Sequence, residues 1–235
     1  MKLSTKSVIQ LEAILQTAVI GGIDALIFED GAARGMNADK SFAMIANDNI
    51  PELPQKMGLS KISSLLSRMA LFKSDMNIDV KESERGEISV IEISSGKNKV
   101  QFRCTSTILI KAPKSINDTL GCKVMLTKQE SKTLLDAIRV MGAKTASLTI
   151  MKNGTTRFNL LDDSHNDFTL VLEQESVRED TVVFPYKTDV LVSLIRNKSE
   201  LNEIVLDIGE MGTIKTDING YSVTVIPEIS EDGDD

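Results

Sequence analysis

Helix-like and strand-like segments follow one another in the same order in the two halves of this 235-residue chain, which constrains its fold more than any other feature. Four segments carry apolar residues at helical spacing: about 5–19, 60–72, 128–141 and 189–197. The first and third begin about 122 residues apart (5 to 127), the second and fourth about 128 apart (60 to 188). Residue identity between the halves is weak, so the sequence predicts two domains that share an architecture.

Short apolar runs edged by turn residues fill the intervals between the helices, as is typical of antiparallel strands. They lie at 23–28, 42–46, 88–93, 100–104, 147–151, 158–161 and 168–173. Asn153-Gly154 and Asn219-Gly220 each separate two strand-like runs. Asn-Gly is typical of the type I′ hairpin turn, because both central positions take positive φ. The predicted class is α+β, with two helices packed on antiparallel sheets in each of two similar domains.

Local signals set the expected boundaries. Thr127 and Glu130 have the spacing of a capping box at the start of the third helix, and Thr188 is the expected N-cap of the fourth. Residues 106–121 resemble a connector, because proline, asparagine and glycine interrupt the apolar pattern. The predicted organisation is a first domain at 1–105, this connector at 106–121, a second domain at 122–229 and an acidic tail at 230–235.

Residue types that build most catalytic and metal sites are scarce. The chain has one histidine, His165, and two cysteines, Cys104 and Cys122, which excludes a His-rich zinc site and a disulfide framework. It contains neither a Walker A motif nor a G-x-S-x-G motif. Both cysteines are expected to be small hydrophobic residues in a reducing compartment. No catalytic residue, cofactor or resident metal is therefore predicted.

Two loops allow a second interpretation. The run Asp162–Asp167, which includes Asp163 and His165, could ligate a cation. A polar hairpin loop is favoured, because the twelve-residue calcium-loop pattern is absent. Gly21-Gly22 precedes a strand, whereas a phosphate-binding glycine loop precedes a helix, so a tight turn is favoured there.

No run of apolar residues approaches the ~18 residues of a membrane span. The start of the chain, Met1-Lys2-Leu3-Ser4, is not followed by the apolar core of a signal peptide. The expected location is the cytoplasm, and no membrane partner is indicated.

The net charge of −7 excludes a protein that holds nucleic acid by a generally basic surface. The charge is nevertheless uneven, since the four helical segments with their flanks hold eleven basic and four acidic residues. The basic residues are Lys6, Lys61, Arg68, Lys73, Lys128, Lys132, Arg139, Lys144, Lys187, Arg196 and Lys198. At about 100° per residue, Lys128, Lys132 and Arg139 share one helix face. One basic surface suited to phosphate contacts is favoured over four ordinary solvated helix faces.

Three short segments carry a family resemblance. Residues 221–229, followed by acidic residues, are similar to the last strand, x-P-x-I ending and acidic terminus of DNA polymerase sliding clamps. Residues 35–44 are similar to the strand pair beneath the partner pocket of these clamps. Residues 156–161 and 168–173, around a polar loop, match a strand pair that ends at a subunit interface. The chain thus resembles two-domain clamps of the proliferating-cell-nuclear-antigen type and their phage relatives.

The resemblance implies a non-enzymatic processivity factor, a ring of three subunits joined head to tail around duplex DNA. DNA would be contacted without sequence preference by helix residues Lys6, Lys61, Arg68, Lys128, Lys132, Arg139, Arg196 and Lys198. Strand residues Val100, Gln101, Phe102 and Arg103 of one subunit would meet Phe168, Leu170 and Leu172 of the next. A DNA polymerase and a clamp loader would insert short hydrophobic motifs into a partner pocket formed by Met36, Phe42, Met44, Ile116, Leu120, Val225, Pro227 and Ile229.

Departures from the family pattern favour a viral or phage clamp. The connector is rich in isoleucine and lysine, and several expected hole-lining basic positions are glutamine, serine or threonine. Two other functions remain open. One is a β-rich scaffold that does not encircle DNA. The other is a metal-assisted hydrolase that uses Asp162, Asp163, His165 and Asp167.

Overall fold

A computed structural model describes residues 1–72, 76–175 and 179–228 of the chain. The chain forms two compact units. Of the described residues, the first unit contains those within 1–116 and 219–222, and the second contains those within 117–218 and 223–228. The division at residues 116 and 117 falls within the segment expected to be a connector. The predicted α+β class is confirmed, with two helices and antiparallel strands in each unit. No helix within the described ranges is long and apolar enough to span a membrane.

The first unit contains β-strands and two helices that contact each other. Its elements are α1 (Thr5–Ile20), β1 (Ala25–Glu29), β2 (Ala32–Met36), β3 (Phe42–Ala46), β4 (Lys56–Ser60), α2 (Ile62–Ala70), β5 (Asn77–Glu82), β6 (Glu87–Ser95), β7 (Asn98–Arg103) and a 3₁₀ turn (Thr107–Leu109). The strand order is β5-β6-β4-β1-β2-β3, and β7 also pairs with β6. All these pairs are antiparallel except β4 with β6.

The hydrophobic core of the first unit is closely packed at the C-terminal end of α1. Leu11, Ile14 and Leu15 of α1 are fully buried, as is Phe42 at the start of β3. A Cβ atom on Gly21, the C-cap of α1, would lie 1.9 Å from the ring of Phe42. The aromatic ring therefore packs directly against the backbone at the helix end, which only glycine permits.

The second unit combines two antiparallel sheets with α3 and α4, which also contact each other. Its elements are β8 (Leu120–Thr127), α3 (Lys128–Met141), β9 (Thr145–Ile150), β10 (Thr155–Leu161), β11 (Asp167–Glu175), β12 (Val182–Lys187), α4 (Thr188–Asn197), β13 (Glu203–Gly209), β14 (Ile214–Ile218) and the part of β15 (Tyr221–Val225) from Val223 onward. One sheet has the order β11-β10-β9-β12, and the other contains β15-β14-β13-β8.

The capping box at the start of α3 is confirmed. The Thr127 hydroxyl accepts a hydrogen bond from the Glu130 N–H (3.2 Å), and the Glu130 carboxylate accepts one from the Thr127 N–H (2.7 Å). The prediction for α4 is wrong, because Lys187 is its N-cap and caps with no side-chain bond. The Thr188 hydroxyl instead donates to the Ala143 carbonyl (2.7 Å) and joins α4 to the end of α3.

The two Asn-Gly turns differ. Asn219 and Gly220 both have positive φ, 53° and 80°, as expected of a type I′ turn. At the β9–β10 turn only Gly154 has positive φ (93°), so the type I′ prediction there is wrong. The Gly154 N–H donates to the Met151 carbonyl (2.8 Å), which makes this loop longer than the two-residue turn that the dipeptide suggests.

Candidate nucleic-acid interface and subunit edges

Helix α3 presents three basic side chains to solvent. Lys128, Lys132 and Arg139 are exposed, while Leu134 and Ile138 on the opposite face are buried. The Arg139 guanidinium lies 3.0 Å from the Asp136 carboxylate, and both side chains are more than half exposed. An exposed pair of this kind contributes little, about 0–1 kcal/mol, so Arg139 remains free to exchange this partner for another anion.

The other helices contribute fewer basic groups. Lys6 on α1, Lys61 at the N-cap of α2 and Arg196 in the last turn of α4 are exposed. Lys198 is half-buried, and burial lowers its pKa, an effect that Asp217 partly opposes. Lys198 is therefore less accessible than Lys6, Lys61 and Arg196. Lys73 lies outside the described residues.

Arg68 of α2 is held by the neighbouring strand. Its guanidinium donates to the Gln101 carbonyl on β7 (2.8 Å) and lies 5.3 Å from the centroid of the Phe102 ring. Helical periodicity showed that Arg68 lies opposite the apolar face but carried no information about a strand 33 residues further along. Contact between Arg68 and DNA stays a prediction, whereas the structure shows the contact between Arg68 and β7.

Strand β7 has an open side. In an antiparallel ladder the N–H and C=O of one residue point to the same side, and the side alternates along the strand. Cys104 donates its N–H to the Ser89 carbonyl of β6, so the backbone groups of Phe102 and Val100 also point to β6. The backbone groups of Lys99, Gln101 and Arg103 point away from β6. Within the described ranges β7 pairs with no other strand.

Strand β11 forms an end of the four-stranded sheet and has an open side as well. Asp162 donates its N–H to the Asn166 carbonyl, so the backbone groups of Phe168 and Leu170 point to β10. Those of Thr169 and Val171 point outward. Among the described residues β11 pairs only with β10. The two strands expected at a subunit interface are thus both edge strands, which are templates for pairing with another chain.

The residues expected in the partner pocket have very different exposures. Phe42, Met44 and Val225 are fully buried and belong to the hydrophobic cores of their units. Leu120 is 57% exposed, whereas Met36, Ile116 and Pro227 are half-buried. Ile229 lies outside the described residues. Any surface offered to a partner by these residues would therefore come from the exposed and half-buried ones.

Sequence reasoning overlooked Asp118, the lone acidic residue of the connector. Its carboxylate accepts hydrogen bonds from the N–H of Met211 (3.0 Å) and from the N–H and hydroxyl of Thr213 (3.2 and 2.7 Å). Burial raises the pKa of Asp118, but these hydrogen bonds outweigh burial and hold the pKa below its ordinary value. The sequence signal that could have identified Asp118 is its position as an isolated acidic residue in a stretch rich in isoleucine and lysine.

The hairpin-loop interpretation of Asp162–Asp167 fits the geometry. The Asp162 carboxylate accepts hydrogen bonds from the N–H groups of Ser164 and Asn166, both at 2.8 Å. The hydrogen bond from the Asn166 side-chain amide (2.8 Å) and these two backbone bonds lower the pKa of Asp162. Within the part of the chain that the structure describes, no three His, Cys, Asp or Glu residues are placed to hold a metal ion.

Cys104 has a half-buried thiol. Burial raises its pKa to about 12, so the thiol stays protonated and unreactive at neutral pH. This agrees with the interpretation of Cys104 as a small hydrophobic residue.

The chain has the fold of DNA sliding clamps. It is similar to the subunit in "C-terminal region of FEN-1 bound to A. fulgidus PCNA", with a TM-score of 0.62 and 10% identity over 98% of this chain and 99% of that one. It is also similar to the DNA polymerase III subunit beta from Pseudomonas aeruginosa, with a TM-score of 0.68 and 13% identity over 100% of this chain and 66% of that subunit.

A third similar structure is the PCNA2-PCNA3 complex from Sulfolobus tokodaii, with a TM-score of 0.61 and 13% identity over 97% of this chain and 99% of that one. No protein-family model and no curated protein sequence matches the chain. The relationship is therefore one of fold, detected through three-dimensional structure at identities of 10–13%.

Proposed function

We propose that the chain is a non-enzymatic sliding clamp that encircles duplex DNA and tethers a DNA polymerase to it. The observation that carries this proposal is the clamp fold over essentially the whole chain, in which the two strands expected at a subunit interface both have open sides. Encirclement keeps a polymerase near its template by raising its effective concentration, without tight binding. The proposed setting is the cytoplasm, of a host cell if the clamp is viral or phage-encoded.

Ring closure would use the two edges. The open side of β7 in one subunit would pair with the open side of β11 in the next, so that each subunit uses different surfaces for its two neighbours. Such a head-to-tail interface gives a closed ring when the rotation between neighbouring subunits is a whole-number fraction of a full turn. We propose three subunits. Pairing would satisfy backbone groups at Gln101 and Thr169 that have no strand partner within the described part of a single chain.

The exposed basic residues would contact the phosphates of the enclosed duplex. Lys128, Lys132 and Arg139 of α3 form the densest group, and Lys6, Lys61 and Arg196 would add to it. Lysine and arginine contacts with phosphates position a protein without reading sequence, which suits movement along DNA. The remaining surface of this acidic chain would repel DNA from the outside of the ring.

Partner proteins would be held by short hydrophobic motifs. Among the described residues expected at the pocket, Leu120 is the most exposed, and Met36 and Pro227 are half-buried. The proposed partners are a DNA polymerase and the loader that places the ring on DNA.

The decisive experiment measures topology. Subunit mass is 25.7 kDa, so light scattering in solution should give a value near three times this mass. Rings loaded on nicked circular DNA should be retained in high salt and released when a restriction enzyme linearises the circle, because linear ends let a ring slide off. Equal retention on circular and linear DNA would overturn encirclement. A monomer that also shows no DNA retention would favour the scaffold alternative.

A further inference from the structure

A side chain of α2 covers part of the open side of β7. Gln101 of β7 turns its carbonyl away from β6, and the guanidinium of Arg68 donates to this oxygen at 2.8 Å. Arg68 belongs to α2, 33 residues earlier in the chain. A strand added to β7 would use the same carbonyl as an acceptor, because the outward N–H and C=O groups of an edge strand form the next ladder.

Other contacts hold both partners of this hydrogen bond. The guanidinium lies 5.3 Å from the centroid of the Phe102 ring, and Phe102 is only 5% exposed. An aromatic face attracts a cation in this position. Arg68 also lies in the last turn of α2, where the negative end of the helix dipole favours a positive charge. The side chain of Gln101 is fixed as well, since its amide donates to the Glu92 carboxylate on β6 at 2.7 Å.

The arginine competes with an added strand for a single position. Paired strands lie about 4.8 Å apart, and a backbone N–H of the second strand must reach the carbonyl oxygen at about 2.9 Å. The guanidinium of Arg68 is already at this distance from the Gln101 oxygen. It must leave the oxygen, or share it with the new N–H group, before β7 can pair along its full length.

We propose that the hydrogen bond from Arg68 to the Gln101 carbonyl is an autoinhibitory contact on the open side of β7, which must break before a second copy of this chain adds its β11. The inference rests on the proposed ring, in which β11 is the added strand. Charged side chains on an edge oppose unwanted strand addition, so the contact protects a lone protomer. Assembly has to break it, and the affinity between subunits is lower as a result.

Substitutions that keep Phe102 covered but remove the donor test the autoinhibitory contact. Arg68→Met and Arg68→Leu place apolar atoms over the ring and cannot donate to the Gln101 carbonyl. Sedimentation equilibrium of the full-length protein should show subunit association at least threefold tighter in both variants than in the unmodified protein. Arg68→Lys can still donate to the carbonyl, so its association should stay within twofold of the unmodified value. The matched control is Lys6→Met, which removes one exposed positive charge from α1 and should leave association unchanged.

The stability of the separate protomer is the second readout. Thermal unfolding of dilute protein, followed by circular dichroism, shows whether each variant is folded. Arg68→Met and Arg68→Leu should unfold at a lower temperature than the unmodified protein, because they lose a hydrogen bond. A less stable protomer that associates more tightly identifies an autoinhibitory contact, whereas a residue that only supports the fold would weaken both properties.

Two kinds of failure can be told apart. If the unmodified protein assembles and neither Arg68→Met nor Arg68→Leu tightens association, the autoinhibitory contact is overturned and the ring is not. An equal gain in Lys6→Met would also overturn it, because general charge repulsion would then explain the result. If the unmodified protein and all variants stay monomeric, the proposed ring fails and the autoinhibitory contact fails with it.

Discussion

The guanidinium of Arg68 lies 5.3 Å from the centroid of the Phe102 ring and donates to the carbonyl of the preceding residue, Gln101, at 2.8 Å. This contact joins α2 to the open side of β7. Phe102 is only 5% exposed, so the arginine covers a ring that would otherwise be open to water. Arg68 also occupies the Gln101 carbonyl, a hydrogen-bond acceptor on the open side of β7. A strand added to β7 must share this carbonyl with Arg68 or displace the arginine.

We expect Arg68→Ala to lower the free energy of unfolding by about 1–2 kcal/mol, from the lost cation–π contact and hydrogen bond. Arg68→Lys should recover only part of this loss, because lysine lacks the planar group that stacks on Phe102. Chemical denaturation followed by circular dichroism measures both variants. If Arg68→Ala is as stable as the unmodified protein but retains less DNA, the residue serves DNA rather than β7.

Because backbone groups alternate in direction along β11, two neighbouring proline substitutions can test whether its open side forms a subunit interface. Proline at position 169 removes an outward N–H, whereas proline at position 170 removes one that points to β10. Thr169→Pro should therefore keep the fold and weaken assembly, while Leu170→Pro should destabilise the protomer itself. Sedimentation velocity and thermal unfolding of the two variants separate these effects. Unchanged assembly of Thr169→Pro would contradict the use of this edge as a subunit interface.

Reversal of charge at Lys132 and Arg139 tests the proposed DNA surface. The double variant Lys132→Glu, Arg139→Glu should reduce DNA retention and processive synthesis several-fold, and oligomeric mass should stay the same. The control is Lys40→Glu with Lys152→Glu, which changes net charge equally and should have little effect. The salt dependence of DNA binding should also become shallower in the helix variant only, because fewer counterions are released.

The Asp118 carboxylate predicts a component of acid sensitivity. Its pKa in the folded protein is lowered, so the unfolded chain binds this proton more readily and the stabilisation is complete only above the unfolded value of about 3.9. Stability should fall as pH drops through and below that value. Asp118→Asn should lose stability at neutral pH and show a weaker further decrease on acidification. Urea unfolding between pH about 6 and 3 measures this, with exposed Asp163→Asn as the control.

The sequence predicted elements best where the signal was local. The capping box of Thr127 and Glu130 and the strands at 42–46 lie where their residues place them. Errors occurred where a distant group competed: Thr188 bonds to Ala143, 45 residues away, instead of capping its own helix. Periodicity placed Arg68 on the polar face of α2, but its binding to β7 depends on tertiary packing, which periodicity does not encode.

The two open edges also matter for a protomer that has not assembled. A lone chain displays backbone donors and acceptors on β7 and β11, and these edges can template non-native β-aggregation as readily as a correct ring. On β7 the exposed charges of Lys99 and Arg103 oppose such stacking. The described outward positions of β11 include Thr169 and Val171, the latter 56% exposed, which offer weaker protection. Assembly would therefore protect this protein from aggregation, and unassembled protomers should be its most aggregation-prone form.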